Sequence, residues 1–487
     1  MSLGKNTFFL SISNLSVTLS NLVLSVGLAW ILLEKEDYGK LHQVFMIASF
    51  ALSFLSGFPT GLSYFYGIYK SNRKKDKLLF KRFFYSMLFL AAFICLIFYL
   101  LKADIANSFI NDLISEYFFL CVGIIFFRST SGFFINYFTL TDKTGRLFVI
   151  NFFYLLVSLL FILALYLKPI WGSTVFILKS ILFIDMIRFL FFYYSINKYV
   201  VLKGAFLITK KELFYILPIT GVTLLNTLYV FVDKYMISVM LNPEAYAEYQ
   251  VGAFVIPFVN IITGSIMVTL LPIFSKLSSN QQYLEIIKKL RDSTKKTTLL
   301  LIPIFCYCLV FGKQLIISIY SEKYVFSGEI FTIYTLRFFT TVILFSLTMA
   351  AIGLQNWVVI TAGLSLSVNV VLNYFLIKLY GVMGAVYATV LTGYLGIFLP
   401  IYLINKKLKT SFLEYFPLKE YFFTLTISLI LSFFIYFVFF KVLLLSNEWS
   451  ILLSIFYYIV VLYFCNKVLR IFGIDKLKKL TKEKLGM

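Results

Sequence analysis

Two arginines, Arg128 and Arg337, fall inside apolar runs and lie 209 positions apart. A guanidinium stays charged at any physiological pH and presents a planar fork of donors, so it suits two-point binding of phosphate or carboxylate oxygens. On a helix in hydrocarbon it costs on the order of 2.5–3.5 kcal/mol by insertion scales, so it is kept where it meets a ligand or a buried acid. Intramembrane acids such as Asp185 and Asp233 could supply the second role. The matched spacing of the arginines favours the first, a polyanionic ligand within reach of both, and diphosphate oxygens fit the fork well. Asp185 and Arg188 stand three residues apart in a run that also holds Lys179, and they are expected to neutralise each other on one helix face.

The first apolar run carries a second signal. Thr7, Ser11, Asn14, Thr18, Asn21 and Ser25 recur at spacings of four, three, four, three and four, which places all six on one helix face. Ser, Thr and Asn also act as interhelical packing groups. Six in register across a whole run favour a wetted surface, with Asn14, Thr18 and Asn21 reached by water and Leu15 and Leu22 not. A later run repeats the pattern with Thr223, Asn226 and Asp233, beside Lys234, and Pro218 should loosen its start. Asp233 and Lys234 are candidates for gating or coupling, with an interfacial pair as the plainer alternative.

Other chemistry is scarce. The sequence holds no GxxxxGK[ST] phosphate loop, so the chain is not an ATPase in its own right. Its single histidine, His42, reads as an imidazole tolerated near a membrane interface. All five cysteines lie in apolar runs, and Cys306 and Cys308 fall on nearly opposite helix faces, too far apart to chelate together. No metal, cofactor or enzymatic activity is expected.

The elements that must position these residues are transmembrane helices. The chain has 487 residues, 61% hydrophobic and only 14% charged, with a mean hydropathy of +0.91, so lipid rather than water must solvate its surface. The apolar runs are near 20 residues and lack two-residue alternation, which excludes a β-barrel. Spans are expected near 6–33, 40–68, 83–101, 113–140, 147–167 and 174–196, then 213–239, 246–274, 297–320, 328–353, 357–379 and 382–404, then 421–444 and 449–466. No connection is long enough for a soluble domain, and the first run is too long and polar for a cleavable signal peptide. Leu33, Glu36 and Tyr38 recur as Leu241, Glu244 and Tyr246, so a six-helix unit is duplicated. The fold class is therefore an all-α polytopic membrane protein of about 14 helices. Residues 1–200 form one six-helix lobe, 201–406 the second, and 407–487 two further helices with a basic tail.

The net charge of +22 does not point to nucleic acid, because basic residues concentrate in alternate loops as the positive-inside rule requires. Both termini are then expected in the cytoplasm. The loop holding Lys288, Lys289 and Arg291, with Leu284, Ile287 and Leu290 along one helical face, should lie on the leaflet against anionic lipid, as should the tail from Lys476 to Lys484.

A family resemblance adds to this. The stretch Asn369–Thr392 (NVVLNYFLIKLYGVMGAVYATVLT) resembles the eleventh and twelfth helices of polysaccharide flippases of the Wzx (O-antigen) type, through Asn369, Asn373, Gly381, Gly384, Ala385, Ala388 and Thr389. LEKEDYG after the first span, IPFV and LLPIFSKL in the eighth, and Asp233-Lys234 in the seventh are similar to the same family. Lipid II flippases and MATE multidrug exporters belong to that superfamily. The resemblance implies two six-helix lobes around a central cavity that opens alternately to each side. It implies a substrate in which undecaprenyl diphosphate carries an oligosaccharide, the repeat unit of O-antigen or another surface polysaccharide. It also implies the bacterial cytoplasmic membrane, with polymerase or ligase machinery as partners and Na+ or H+ as coupling ions the superfamily uses. Arg128, Arg337, Asn14, Thr18, Asn21 and Asn226 are then the expected substrate contacts, and small residues such as Gly381, Gly384 and Ala385 serve helix packing. The first span lacks both the arginines typical of lipid II flippases and the carboxylate typical of MATE exporters, so those are the alternatives. A membrane glycan polymerase or ligase fits less well, because no long outer loop with a catalytic constellation is present.

Overall fold

The computed structural model describes residues 3–32, 34–69, 73–109, 111–168, 172–200 and 207–469, and the expected tail helix at Lys476–Lys484 lies outside them. Among the described residues every regular element is helical. Thirteen helical segments among the described residues are long and apolar enough to cross a bilayer. A further 27-residue helix, Thr174–Val200, has sufficient length but carries Lys179, Asp185 and Arg188 in its run. With it the count reaches the expected fourteen, and the chain is a multi-pass membrane protein.

The described chain forms two compact units, Met1–Ala247 and Glu248–Met487. The first contains α1 (Leu3–Ile31), α2 (Lys35–Ser53), α3 (Gly57–Tyr69), α4 (Arg73–Leu100), α5 (Lys102–Ser108), α6 (Asp112–Arg128), α7 (Ser131–Leu140), α8 (Thr144–Leu167), α9 (Thr174–Val200) and α10 (Lys210–Met240). The lobe boundary expected at 200/201 rests on sequence correspondence. The unit boundary describes packing: α10 lies on α2 and α3, and Arg82 pairs with the fully buried Glu212 at its start. Its other end is tied through Lys35–Glu244 at 3.5 Å and by the Tyr246 hydroxyl donating to the His42 carbonyl at 3.2 Å. Gly39 lets the Pro243 carbonyl approach, since a Cβ there would sit 1.9 Å from that oxygen. α10 runs through Pro218 without interruption, so the loosening expected there does not break the helix.

The second unit contains the rest of α11 (Pro243–Gly252), α12 (Pro257–Ser279), α13 (Tyr283–Tyr320), α14 (Val325–Tyr334), α15 (Phe345–Ala351), α16 (Gln355–Tyr380), α17 (Val382–Leu395), α18 (Phe398–Leu408), α19 (Phe412–Tyr415), α20 (Leu418–Tyr436) and α21 (Trp449–Leu469). Gly384 seats α17 on α16, because a Cβ there would lie 2.0 Å from the Leu376 carbonyl oxygen. Ala385 is fully buried, as that packing role requires, whereas a Cβ at Gly381 would meet nothing within 4 Å, so Gly381 serves the turn between the helices, at φ +58°, rather than their contact.

The expected interfacial helix around Lys288 is corrected. Residues 283–320 form one continuous helix, α13. Ile286, Ile287 and Leu290 are buried in a core with Phe274, Ile404 and Tyr415, while Leu284 points outward at 73% exposure. The cations beside them bind protein: Arg291 donates to the carbonyls of Leu413 and Glu414, and Lys295 pairs with Glu420 at 2.8 Å. A protein wall stands where the sequence suggested a leaflet.

The second and fourth spans of each six-helix set are broken. α2 and α3 part at 54–56, α6 and α7 at 129–130, and α11 and α12 at 253–256 ahead of Pro257, where the residue before proline is driven extended. The fourth break is a 3-10 stretch, Thr335–Val342, between α14 and α15. In the first unit the broken spans meet where Asn136 donates to the Pro59 carbonyl and Gly132 abuts the Pro59 ring. In the second, Gly252 packs on Ile330 and the Ser327 carbonyl.

Candidate functional site

Each mid-membrane arginine sits at one of these breaks. Arg128 is the last residue of α6, and Arg337 lies within the 3-10 stretch. Irregular backbone frees carbonyls that have no water to bind at this depth, so nearby hydroxyls must serve them. Ser129 Oγ donates to the Phe126 carbonyl at 2.6 Å. Around the second arginine, the hydroxyls of Thr335, Thr340 and Thr341 donate to the carbonyls of Phe331, Arg337 and Phe338 at 2.6–2.8 Å. Broken helices stabilised this way are where membrane transporters place their binding groups.

In the first unit the arginine belongs to a charged network. Arg128 Nε donates to Asp185 Oδ2 at 2.6 Å, and its guanidinium lies 5.7 Å from the centre of the Phe45 ring. The side chain of Asp185 is 2% exposed and that of Arg128 is 27% exposed. The Asp185–Arg188 pairing expected from the sequence is therefore corrected. Asp185 is taken by Arg128, which comes from another helix, while Arg188 Nη2 donates to Asn151 Oδ1 at 2.8 Å and stacks 4.4 Å from the Tyr154 ring centre. Asn151 Nδ2 in turn donates to Ser13 Oγ at 2.8 Å. One network thus joins α6, α9, α8 and α1, with two cations and one anion at its centre. Any anionic ligand reaching Arg128 must compete with Asp185.

In the second unit, Arg337 Nη1 donates to the Tyr334 hydroxyl. Its guanidinium lies 5.0 Å from the centre of the Tyr334 ring and 5.7 Å from that of Phe338. The side chain is half-buried, and Gly393 of α17 leaves space beside its stem.

The polar face of α1 divides in two. Ser11, Asn14, Thr18 and Asn21 are exposed on the first unit, and Ser25 hydrogen-bonds Tyr38 at 2.9 Å. Leu15 and Leu22 are also exposed, at 52% and 36%, so α1 is open on more than its polar side. A separate row, Ser13, Ser16 and Ser20, is buried where α1 runs along α8. The sequence reading passed over this row, although its spacing of three and four carried the signal. It also missed Asn151 and Tyr154, whose mark was a polar atom recurring inside an apolar run, and the Arg82–Glu212 pair.

In α10, Asn226 is exposed, Thr223 is half-buried, Asp233 is buried, and Lys234 lies 5.6 Å from the Phe231 ring centre. Asp233 and Lys234 thus take separate environments. In the second unit Asn373 Nδ2 donates to Asn369 Oδ1 at 2.9 Å, both buried on α16. Among the described residues no three His, Cys, Asp or Glu side chains gather as metal ligands.

A family model described as polysaccharide biosynthesis protein matches residues 30–329. The chain belongs to that family. No curated protein matches it. Its fold is that of a solved lipid II flippase, MurJ in an inward closed conformation, with a TM-score of 0.68 at 19% identity over 95% of this chain and 98% of the other. An inward-facing multidrug resistance MATE transporter of the MOP superfamily gives 0.56 at 13% identity, covering 81% and 96%. The Vibrio cholerae MATE transporter VcmN gives 0.53 at 15% identity, covering 85% and 97%. At these identities the likeness is one of fold.

Proposed function

We propose that this protein flips a lipid-linked oligosaccharide, an undecaprenyl-diphosphate-linked repeat unit of O-antigen or another surface polysaccharide, across the bacterial cytoplasmic membrane by alternating access. The observation that carries the reading is an arginine at the break in the fourth span of each repeat, in a chain from a polysaccharide-biosynthesis family. Arg337 contacts the diphosphate, and its aromatic neighbours Tyr334 and Phe338 orient the fork. Arg128 reaches the diphosphate only by exchanging Asp185 for it. Asn14, Thr18, Asn21 and Asn226 offer exposed donors and acceptors to sugar hydroxyls. Asp233 and Lys234 couple the motion of α10 to the cycle, with Na+ or H+ as the driving ion. Both termini lie in the cytoplasm, basic loops other than the segment around Lys288 meet anionic lipid, and polymerase or ligase machinery receives the product.

The exposed polar face of α1 carries no carboxylate, which favours this reading over a MATE-type cation-coupled exporter. Proteoliposomes holding a fluorescent undecaprenyl-diphosphate oligosaccharide test it. Arg337→Ala is expected to abolish flipping while protein abundance stays normal, and Arg337→Lys to restore part of it. Flipping by Arg337→Ala at the wild-type rate would overturn the assignment.

A further inference from the structure

Two cavities of 470 and 300 Å³ lie end to end between α8 and α9, with Val157 and Ile184 lining both. Together they make one open groove. Its walls are mostly apolar, and Phe153, Leu160 and Phe183 stand 46–63% exposed, as side chains facing hydrocarbon do. Two cations interrupt these walls, and no lining residue is an acid. Lys179 lies at one end and is exposed, and no described residue gives it a hydrogen bond or ion pair. Arg188 lies at the other end, and its Nε is buried without a hydrogen-bond partner.

We propose that this groove is a binding site for an anionic phospholipid, with the phosphate on Lys179 and one acyl chain laid along the groove toward Phe191. The lengths agree. Lys179 to Phe191 spans about 18 Å at ~1.5 Å per residue, against roughly 15 Å for the hydrocarbon half of a ~30 Å bilayer core. Lys179 sits five residues into α9, about 8 Å from its start, within reach of the headgroup level through its flexible stem. The charge also agrees. A zwitterionic headgroup brings no net charge to a wall with two cations. A negative one does, and the Arg128–Asp185–Arg188 set behind the groove keeps one uncompensated positive charge. The site lies within the first unit, and it does not depend on the flippase reading.

Native mass spectrometry of the full-length protein, equilibrated with equimolar phosphatidylglycerol and phosphatidylcholine of identical acyl chains, tests the proposal. The wild type is expected to retain phosphatidylglycerol over phosphatidylcholine by about fivefold or more, the factor that ~1 kcal/mol per cation implies. Lys179→Gln should reduce that preference by about fivefold, and Leu160→Trp should lower total lipid retention by filling the groove without changing charge. Thermal stability should be unchanged in Lys179→Gln, since its side chain is exposed. Equal retention of the two lipids by the wild type would overturn the proposal. So would an intact preference in both variants, or selective retention of undecaprenyl phosphate with no preference for phosphatidylglycerol.

Discussion

Removing Asp185 should damage this protein more than removing the arginine it binds. Asp185 is the one anion in a network with two cations, Arg128 at 2.6 Å and Arg188 on the same helix. Arg128→Met leaves Asp185 facing Arg188, a pair that is neutral overall. Asp185→Leu leaves two guanidinium groups in one poorly hydrated pocket with no counter-charge. Stranding a buried charge by deleting its partner costs about 3–5 kcal/mol. Interhelical hydrogen bonds in membranes are weaker, about 0.6 kcal/mol on average and roughly 1.7 at most, which sets the expected loss for Arg128→Met. For a unit of this size, each kcal/mol moves the midpoint by about 2–4 °C. Asp185→Leu should therefore lower the apparent Tm by roughly 6–20 °C, and Arg128→Met by roughly 1–7 °C. The double variant should recover part of the Asp185→Leu loss, because the stranded guanidinium is gone. Detergent-solubilised protein heated and run on a fluorescence-detected sizing column gives the midpoints. The charge argument is refuted if Arg128→Met is the more damaging single change, or if the double variant is the sum of the singles. The double variant also decides the role of Arg128 in flipping: a stable but inactive double variant makes Arg128 a substrate contact, and an active one makes it structural.

Three further predictions rest on separate parts of the molecule. Cysteines at Asn14, Thr18 and Asn21 should react with a membrane-impermeant thiol reagent in a cysteine-free background, whereas cysteines at Ser16 and Ser20, buried against α8, should not; equal labelling of both rows would refute a wetted face. Gly384→Leu should prevent α17 from seating on α16, since even its Cβ would lie 2.0 Å from the Leu376 carbonyl oxygen, and near-normal yield of folded protein would contradict that contact. Leu290→Ala should cost about 2–5 kcal/mol by opening a void beside Ile404 and Tyr415, with a Tm shift that does not depend on anionic lipid; rescue of the variant by anionic lipid would restore the interfacial reading of α13.

Much of the fold was legible because lipid imposes a strong rule. A chain this apolar must satisfy its backbone within helices about 20 residues long, so counting runs yields the spans. Even the charged sixth span could be read by length. The stripe on α1 was legible only as periodicity, since helical spacing is a local property; Leu15 and Leu22, expected away from water, are exposed as well. The role of small residues at Gly384 and Ala385 followed from the resemblance.

What the sequence could not decide is which neighbour each charged or apolar face meets. Asp185 and Arg188 are adjacent on one helix by spacing, yet Asp185 takes Arg128 from a different helix, because three-dimensional packing brings α6 within 2.6 Å. Ile287 and Leu290 have the periodicity of a leaflet-bound helix, yet α12, α15, α18 and α19 supply a protein surface that buries them. The breaks at 129–130 and in Thr335–Val342 have no proline to announce them; hydroxyls three residues away serve carbonyls at both, and at the second the Tyr394 hydroxyl of α17 also donates to the Leu336 carbonyl. By itself the sequence determined the solvent, the helices and their order, all of which depend on residues close together in the chain. The tertiary structure alone decided the pairing of charges and the groove beside Lys179, because each depends on residues that sequence distance leaves unrelated.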